Sequence, residues 1–123
     1  MHSDELSVEG LRLRCQLGTK QWEKMTQQDV VVSFSVFADL SVPARSDQLT
    51  DTINMGSLVT KVRQYVETAS HQLIESLSLE IARILLTEFP IEEVLVNVRK
   101  PGAFTDAECE AVTIRREKAF FVQ

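Results

Sequence analysis

The sequence predicts an α+β domain in which a four-stranded antiparallel sheet carries two helices on one face. Two long segments near the start of the chain alternate apolar and polar residues, as strands do. Two segments in the middle repeat apolar residues at helical spacing, and two shorter alternating segments follow them. The predicted order is therefore strand, strand, helix, helix, strand, strand, and two helices of this length can cover one face of such a sheet.

Length and composition fit one domain over residues 1–123. The chain is 44% hydrophobic and 25% charged, which is ordinary for globular proteins and argues against disorder. Its net charge of −5 disfavours nucleic acid or an anionic membrane as a partner. No apolar run is long enough to span a bilayer, and residues 1–5 resemble no secretory signal. We therefore expect a cytoplasmic protein.

Two long strands open the chain. The first is predicted from Leu6 to Leu17, and its alternation changes phase at Gly10, which indicates a β-bulge or a sharp twist. A turn over residues 18–23 follows. The second strand carries apolar residues at every other position from Val30 to Leu40. Two long strands with a connection of this kind predict a hairpin.

Two helices follow a loop that is predicted from Ser41 to Asn54, where residues typical of turns and helix caps accumulate. Apolar residues between Leu58 and Ala69 lie on one stripe of the first helix. After a short break, the second helix is predicted from about Gln72 to Phe89. Pro90 ends it.

Two shorter strands complete the sheet, one over Val94–Arg99 and one over Glu110–Arg116. The face without helices still shows the apolar side chains of Val31, Phe37 and Leu95. The sheet also has two bare edges, which favour aggregation unless another chain pairs with them. The pattern therefore predicts self-association, edge to edge, into an oligomeric barrel.

The two cysteines do not indicate a disulfide or a metal site. Cys15 and Cys109 lie far apart in the sequence, and with no secretory signal we expect free thiols in a reducing compartment. A structural zinc site needs about four ligands. The candidates Cys15, Cys109, His2 and His71 show no paired spacing, so no metal is predicted.

Two charged residues are candidates for chemistry. Lys100 keeps the inward phase of the third strand, so it is either an amine that reaches out to water or a partly desolvated acid–base group. Glu75 lies in the first turn of the second helix, where the helix dipole alone favours a carboxylate. Alternatively, Glu75 accepts the paired N–H donors of a pterin or guanine edge. We expect a solvated His71 and a Tyr65 that packs in the core.

Short motifs are spread along nearly the whole chain. They are Gly10-Leu11-Arg12-Leu13, Gly18, Trp22-Glu23, Gln28, Ser46-Asp47, Asp51-Thr52-Ile53-Asn54, Leu73-Ile74-Glu75-Ser76-Leu77 and Val96-Asn97-Val98-Arg99-Lys100-Pro101-Gly102-Ala103. In their order and spacing, these motifs resemble the dihydroneopterin aldolase family. The stretches around Trp22-Glu23 and from Lys100 to Phe104 are most similar to the aldolase domains of eukaryotic, especially fungal, multifunctional folate enzymes.

The resemblance implies the tunnelling fold of this family, in which a homotetramer or homo-octamer encloses a tunnel. It implies a pterin-like substrate bound between subunits and a place in folate biosynthesis. The implied reaction is retro-aldol cleavage, or epimerisation, of 7,8-dihydroneopterin. Cleavage releases glycolaldehyde, and the pterin ring takes the electron pair. The family uses no metal, cofactor or Schiff base.

The resemblance also implies roles for individual residues. Lys100 would be the general acid–base group, and Glu23 would order the catalytic water and the substrate hydroxyls. Glu75 would anchor the N–H edge of the pterin. The other implied binding residues are Leu73, Ile74, Thr52, Ile53 and Met55. Thr52 and Ile53 would come from a neighbouring subunit.

One position departs from the family. The family has a tyrosine directly after the Asp51–Asn54 segment, and this chain has Met55. A thioether cannot usefully donate or accept a proton, and loss of one proton-transfer group lowers a rate by about 10²–10⁴-fold. Three interpretations stay open: a pterin-directed lyase or epimerase, the same fold acting on another small molecule in a specialised pathway, or a non-catalytic module for pterin or purine binding or for oligomerisation.

Overall fold

A single five-stranded sheet organises the computed structural model, which describes residues 4–123. The strands are β1 Asp4–Leu17, β2 Gln28–Ala38, β3 Ser70–His71, β4 Glu93–Pro101 and β5 Cys109–Glu117. Their order in the sheet is β3-β1-β2-β4-β5. Neighbouring strands are antiparallel, except that β3 runs parallel to β1.

Two long helices, α3 Met55–Thr68 and α4 Ile74–Glu88, cover one face of this sheet. Two short helices, α1 Gln21–Met25 and α2 Ser41–Ser46, precede them, and short 3-10 turns lie at Leu49–Asp51 and Lys118–Phe120. Both α3 and α4 bury an apolar stripe against the strands. Alternate residues of β2 and β4, such as Phe34 and Val96, form the other side of that core. The predicted α+β class and the helix-covered face are confirmed.

The β-bulge predicted at Gly10 is also present. The pairing of β1 with β2 shifts register between Val8 and Leu11. Gly10 has a φ of 75°, a left-handed conformation that glycine adopts without a steric penalty. Its N–H donates to the hydroxyl of Ser33 at 2.9 Å, so the bulge is tied to the neighbouring strand.

Several short elements differ from the prediction. The sheet has five strands and not four, because the break between the long helices contains β3, which pairs with Gln16 and Leu17 of β1. The predicted loop from Ser41 contains α2, whose Pro43 lies in the first turn, where proline is tolerated. The predicted turn over residues 18–23 leads into α1.

The face without helices is less bare than predicted. Val31 and Leu95 are half-buried, but Phe37 is buried. The guanidinium of Arg115 lies over the Phe37 ring, 4.2 Å from its centroid, and a cation in that position is attracted by the ring. The prediction of an exposed Phe37 is therefore wrong. The barrel of several subunits stays a prediction.

Candidate active site

A buried ion pair joins the end of β4 to α1. The Nζ of Lys100 lies 2.6 Å from the Oε2 of Glu23, although the two residues are 77 positions apart in the sequence. Lys100 is 9% exposed and Glu23 is 7% exposed. Lys100 thus points to the core side of the sheet, and the alternative in which its amine reaches out to water does not hold.

The start of α1 holds the Glu23 carboxylate in place. Its second oxygen, Oε1, accepts a hydrogen bond from the backbone N–H of Lys20 at 3.2 Å, which is half of a capping box. The hydrogen bond from Lys100 lowers the pKa of Glu23, although desolvation opposes that effect. The carboxylate is therefore held in its charged form, facing the lysine.

Gly18 leaves room for this carboxylate. A Cβ atom added at Gly18 would lie 2.2 Å from Cδ of Glu23, and the φ of Gly18 is +142°. The Gly18 N–H donates to the carbonyl oxygen of His71 at 3.1 Å, which fixes the glycine between β3 and the carboxylate. The position of Glu23 thus depends on a glycine at the end of β1.

We expect Gly18→Ala to destabilise the protein by about 3 kcal/mol or more, because the added methyl group displaces Glu23 and leaves Lys100 without its partner. Gly10→Ala is the matched control. Gly10 also has a positive φ, but a Cβ atom there meets nothing within 4 Å, so its loss is limited to backbone strain of about 1–2 kcal/mol. Urea unfolding of both variants measures the difference. Equal losses would show that Glu23 does not need the space at Gly18.

Glu23, one partner of the ion pair, lies at the wall of a cavity of about 270 Å³. The cavity is lined by Gln16, Leu17, Gly18, Glu23, Lys24, Ser70, His71 and Gln72. Glu23 is the lining residue that is bonded to Lys100. A molecule in this cavity would contact the Glu23 side chain, and the amine of Lys100 lies on the other side of that carboxylate.

The start of α4 presents the predicted anchor. Leu73 precedes the helix and is 50% exposed, Ile74 is buried, and Glu75 is exposed in the first turn. The positive end of the helix dipole favours a negative charge at this place. These three residues are adjacent to the cavity residue Gln72 in the chain, but none of them is among the lining residues.

The segment before α3 lies elsewhere in the chain. Thr52, Ile53 and Met55 are half-buried, and Ile53 and Met55 pack against the hydrophobic core. Asn54 caps α3 by accepting a hydrogen bond from the Ser57 N–H. Residues 52–55 do not line the cavity beside Glu23, so one chain brings Lys100 and Glu23 together without them.

Of two side chains near the site, His71 differs from expectation, whereas Tyr65 packs against the core as predicted. His71 is half-buried rather than solvated, with Nε2 2.5 Å from the Tyr65 hydroxyl and Nδ1 2.6 Å from the Ser76 hydroxyl. Tyr65 is half-buried and packs against the core, but its hydroxyl is engaged with His71. The sequence carries no signal for these bonds, because spacings of six and five residues match neither a helix nor a strand.

The thiols and the metal candidates take no part in the ion pair. Cys15 is buried, Cys109 is half-buried, and both are free. Burial raises the pKa of Cys15 to about 11. From residue 4 onward, no group of three or more histidine, cysteine or acidic residues could hold a metal ion; His2 lies outside the described residues. In the same part of the chain, no helix is long and apolar enough to cross a membrane.

Comparisons with known proteins identify relatives of this chain. The family model "FolB: Dihydroneopterin aldolase" matches residues 6–117. A dihydroneopterin aldolase of Streptococcus pyogenes serotype M1 is 34% identical over 116 residues, which are 94% of this chain and 98% of that protein. The folic acid synthesis protein FOL1 of Dictyostelium discoideum is 31% identical over 118 residues. The chain spans 18% of the length of that protein and 16% of a counterpart from Pneumocystis carinii.

Solved structures show the same fold. The Escherichia coli dihydroneopterin aldolase in complex with neopterin superposes with a TM-score of 0.88 at 29% identity, covering 93% of this chain and 99% of the other. A dihydroneopterin aldolase from Burkholderia thailandensis bound to guanine gives a TM-score of 0.76 at 24% identity, with coverages of 93% and 90%. The first match is to a protein with a bound pterin, and the second is to one with a bound purine.

Proposed function

The chain belongs to the dihydroneopterin aldolase family, and from that premise we propose that it binds a pterin and cleaves 7,8-dihydroneopterin by a retro-aldol reaction at Lys100 and Glu23. The observation that carries this proposal is the buried ion pair, with Lys100 Nζ 2.6 Å from Glu23 Oε2 at the wall of a cavity. The substrate class is a small pterin-like molecule.

A buried ion pair is a poor way to stabilise a fold. Removing two charges from water is so unfavourable that well-packed apolar residues are often as stabilising or more so. A catalytic role explains this buried pair better than a contribution to stability does. An ammonium group has three N–H donors, and the bond to Glu23 uses one. The pair therefore favours an enzyme over a domain that serves only for oligomerisation.

The proposed reaction needs one proton removed and one returned. A base takes the proton of a side-chain hydroxyl, the adjacent carbon–carbon bond breaks, and glycolaldehyde leaves. The electron pair moves into the pterin ring as an enol-type intermediate, and a proton returned to carbon gives the shortened pterin. Lys100 carries protons in these steps, and Glu23 orients the amine, the water and the hydroxyls. Epimerisation would re-form the same bond in the other configuration.

Glu75 is the proposed anchor for the pterin. A carboxylate accepts two parallel N–H donors in a bidentate arrangement, and Glu75 is exposed at the positive end of α4. Neopterin, bound in the Escherichia coli structure, and guanine, bound in the Burkholderia structure, share such an edge. Leu73 and Ile74 would lie beside it through their backbone.

The proposed anchor is tested by the affinity for neopterin. We expect Glu75→Ala to weaken binding by about 10²–10⁴-fold, because it removes two hydrogen bonds and each hydrogen bond to a charged group contributes about 1.5–3 kcal/mol. Glu67→Ala is the matched control, since Glu67 is an exposed carboxylate on α3. Pterin fluorescence titration measures both. Unchanged affinity in Glu75→Ala would remove the anchor assignment.

The complete site is proposed to need a second subunit. The outer side of β1 from Asp4 to Cys15 has no partner strand anywhere in residues 4–123, and β5 forms the other edge of the sheet. Pairing of these edges between copies gives the homotetramer or homo-octamer of the family. This pairing would let Thr52, Ile53 and Met55 reach the pocket of a neighbouring subunit.

We take residues 1–123 as one domain that works in the cytoplasm.

Met55 favours a second candidate function, in which dioxygen oxidises the intermediate of the reaction. Without a tyrosine hydroxyl to return the proton, the enol intermediate persists, and dioxygen can oxidise it to an oxidised pterin. The same substitution also suits an enzyme for a different small molecule or a domain that binds a pterin without turnover. Binding of neopterin together with product analysis separates these outcomes.

A further inference from the structure

We propose that His71 is a positioning residue that sets the start of α4, and with it Glu75, relative to the Glu23–Lys100 pair. The inference rests on the proposed function, because Glu75 is taken as the pterin anchor. His71 contacts both halves of the site: its backbone reaches the end of β1, and its side chain reaches the first turn of α4.

The backbone of His71 supports the catalytic pair. Ser70 and His71 form β3, which pairs with Gln16 and Leu17 of β1. The carbonyl oxygen of His71 accepts the Gly18 N–H at 3.1 Å. Gly18 is the residue against which the Glu23 carboxylate is packed. A shift of β3 would therefore move the surface that holds Glu23.

The side chain of His71 reaches toward the anchor. Nδ1 lies 2.6 Å from the hydroxyl of Ser76, and Ser76 is the residue after Glu75 in the first turn of α4. Leu73 at the N-cap position makes no side-chain capping bond, so no side chain of the N-cap holds this turn. The His71–Ser76 bond is thus a side-chain link between β3 and the helix turn that carries the anchor.

A second hydrogen bond fixes the orientation of the ring. Nε2 lies 2.5 Å from the Tyr65 hydroxyl on α3, and the two rings meet edge to face at 6.0 Å. Burial lowers the pKa of His71, so the ring is neutral near pH 7. A neutral imidazole donates from one nitrogen and accepts at the other, and two hydroxyls satisfy either tautomer. With both nitrogens engaged, the ring cannot rotate without losing a bond.

Two substitutions separate the two bonds of the ring. Asparagine places an amide where Nδ1 lies, so His71→Asn keeps the link to Ser76 and loses the link to Tyr65. Glutamine places its amide where Nε2 lies, so His71→Gln keeps the link to Tyr65 and loses the link to Ser76. Ser76→Ala also removes the link between His71 and Ser76, by deleting the serine hydroxyl. The three variants differ in the link to α4 while each loses one hydrogen bond.

The experiment measures neopterin affinity by fluorescence and stability by urea unfolding. We expect His71→Gln and Ser76→Ala to bind neopterin about 3–10-fold more weakly, the effect of one lost hydrogen bond. His71→Asn should stay within about 2-fold of the wild type, although it loses a hydrogen bond of similar strength. If the loss of neopterin affinity parallels the loss of stability in all three variants, His71 has only a structural role and the proposal is wrong.

Glu75→Ala distinguishes failure of this inference from failure of the proposed function. If Glu75→Ala binds neopterin as tightly as the wild type, the anchor assignment fails, and the positioning role fails with it. If Glu75→Ala weakens binding while His71→Gln and Ser76→Ala do not, the anchor stands and the positioning role of His71 is wrong.

Discussion

Lys100→Met should lower the rate of dihydroneopterin cleavage by about 10²–10⁴-fold, the usual effect of removing a positioned proton-transfer group. Methionine keeps most of the length and apolar surface of lysine but cannot carry a proton. The variant also leaves the Glu23 carboxylate, which is 7% exposed, without its 2.6 Å partner. Such an unpaired buried charge destabilises a fold by about 3–5 kcal/mol.

A double variant separates the catalytic loss from the folding defect. Lys100→Met combined with Glu23→Gln removes both charges, so most of the lost stability should return while cleavage stays impaired. Lys61→Met controls for the loss of a lysine in general, because Lys61 lies on α3 in a solvent-accessible pair with Glu88 and does not line the cavity beside Glu23. Steady-state rates and urea unfolding of the three proteins are the measurements. Recovery of both stability and activity in the double variant would show that Lys100 is structural.

Met55→Tyr should raise the rate of dihydroneopterin cleavage by up to about 10²–10⁴-fold, because it restores a hydroxyl that can return a proton to the enol intermediate. Met55 is the first residue of α3 and is half-buried. The substitution should also lower the share of oxidised pterin among the products, since the intermediate is quenched sooner. Glycolaldehyde release and pterin chromatography measure the two effects.

Met55→Phe is the matched control for this gain. Phenylalanine has nearly the shape of tyrosine and lacks the hydroxyl, so its rate should stay close to that of the wild type. A similar rise in both variants would assign the effect to the shape of the pocket. No rise in a folded Met55→Tyr protein would make the proton-handling explanation of position 55 wrong.

The long elements of the fold could be predicted because each shows a full period of apolar residues. The bulge was visible as a change of phase and lies at Gly10, where the register shifts. The short elements could not be found in this way. β3 is two residues long, which is too short to alternate, and α2 buries no residue and so has no apolar stripe. The prediction for Phe37 is wrong because Arg115, which lies over its ring, comes from a strand distant in the sequence.

The candidate site was predictable to a similar degree. The phase of β4 indicated that Lys100 points inward, which the buried position agrees with. Its partner Glu23 came from the family resemblance, because no pattern links residues 77 positions apart. The bonds of His71 depend on three elements packing together, β3, α3 and α4. Such contacts follow from tertiary structure and leave no period in the sequence.

Product analysis of the wild-type protein with 7,8-dihydroneopterin tests the central claim most directly. The claim is that Lys100 and Glu23 cleave the side chain of a bound dihydropterin. We predict glycolaldehyde in an amount equal to the 7,8-dihydroneopterin cleaved, formed without added metal or cofactor, and a strongly reduced amount with Lys100→Met. A protein that neither binds nor cleaves 7,8-dihydroneopterin, or glycolaldehyde formed equally well without Lys100, would contradict it.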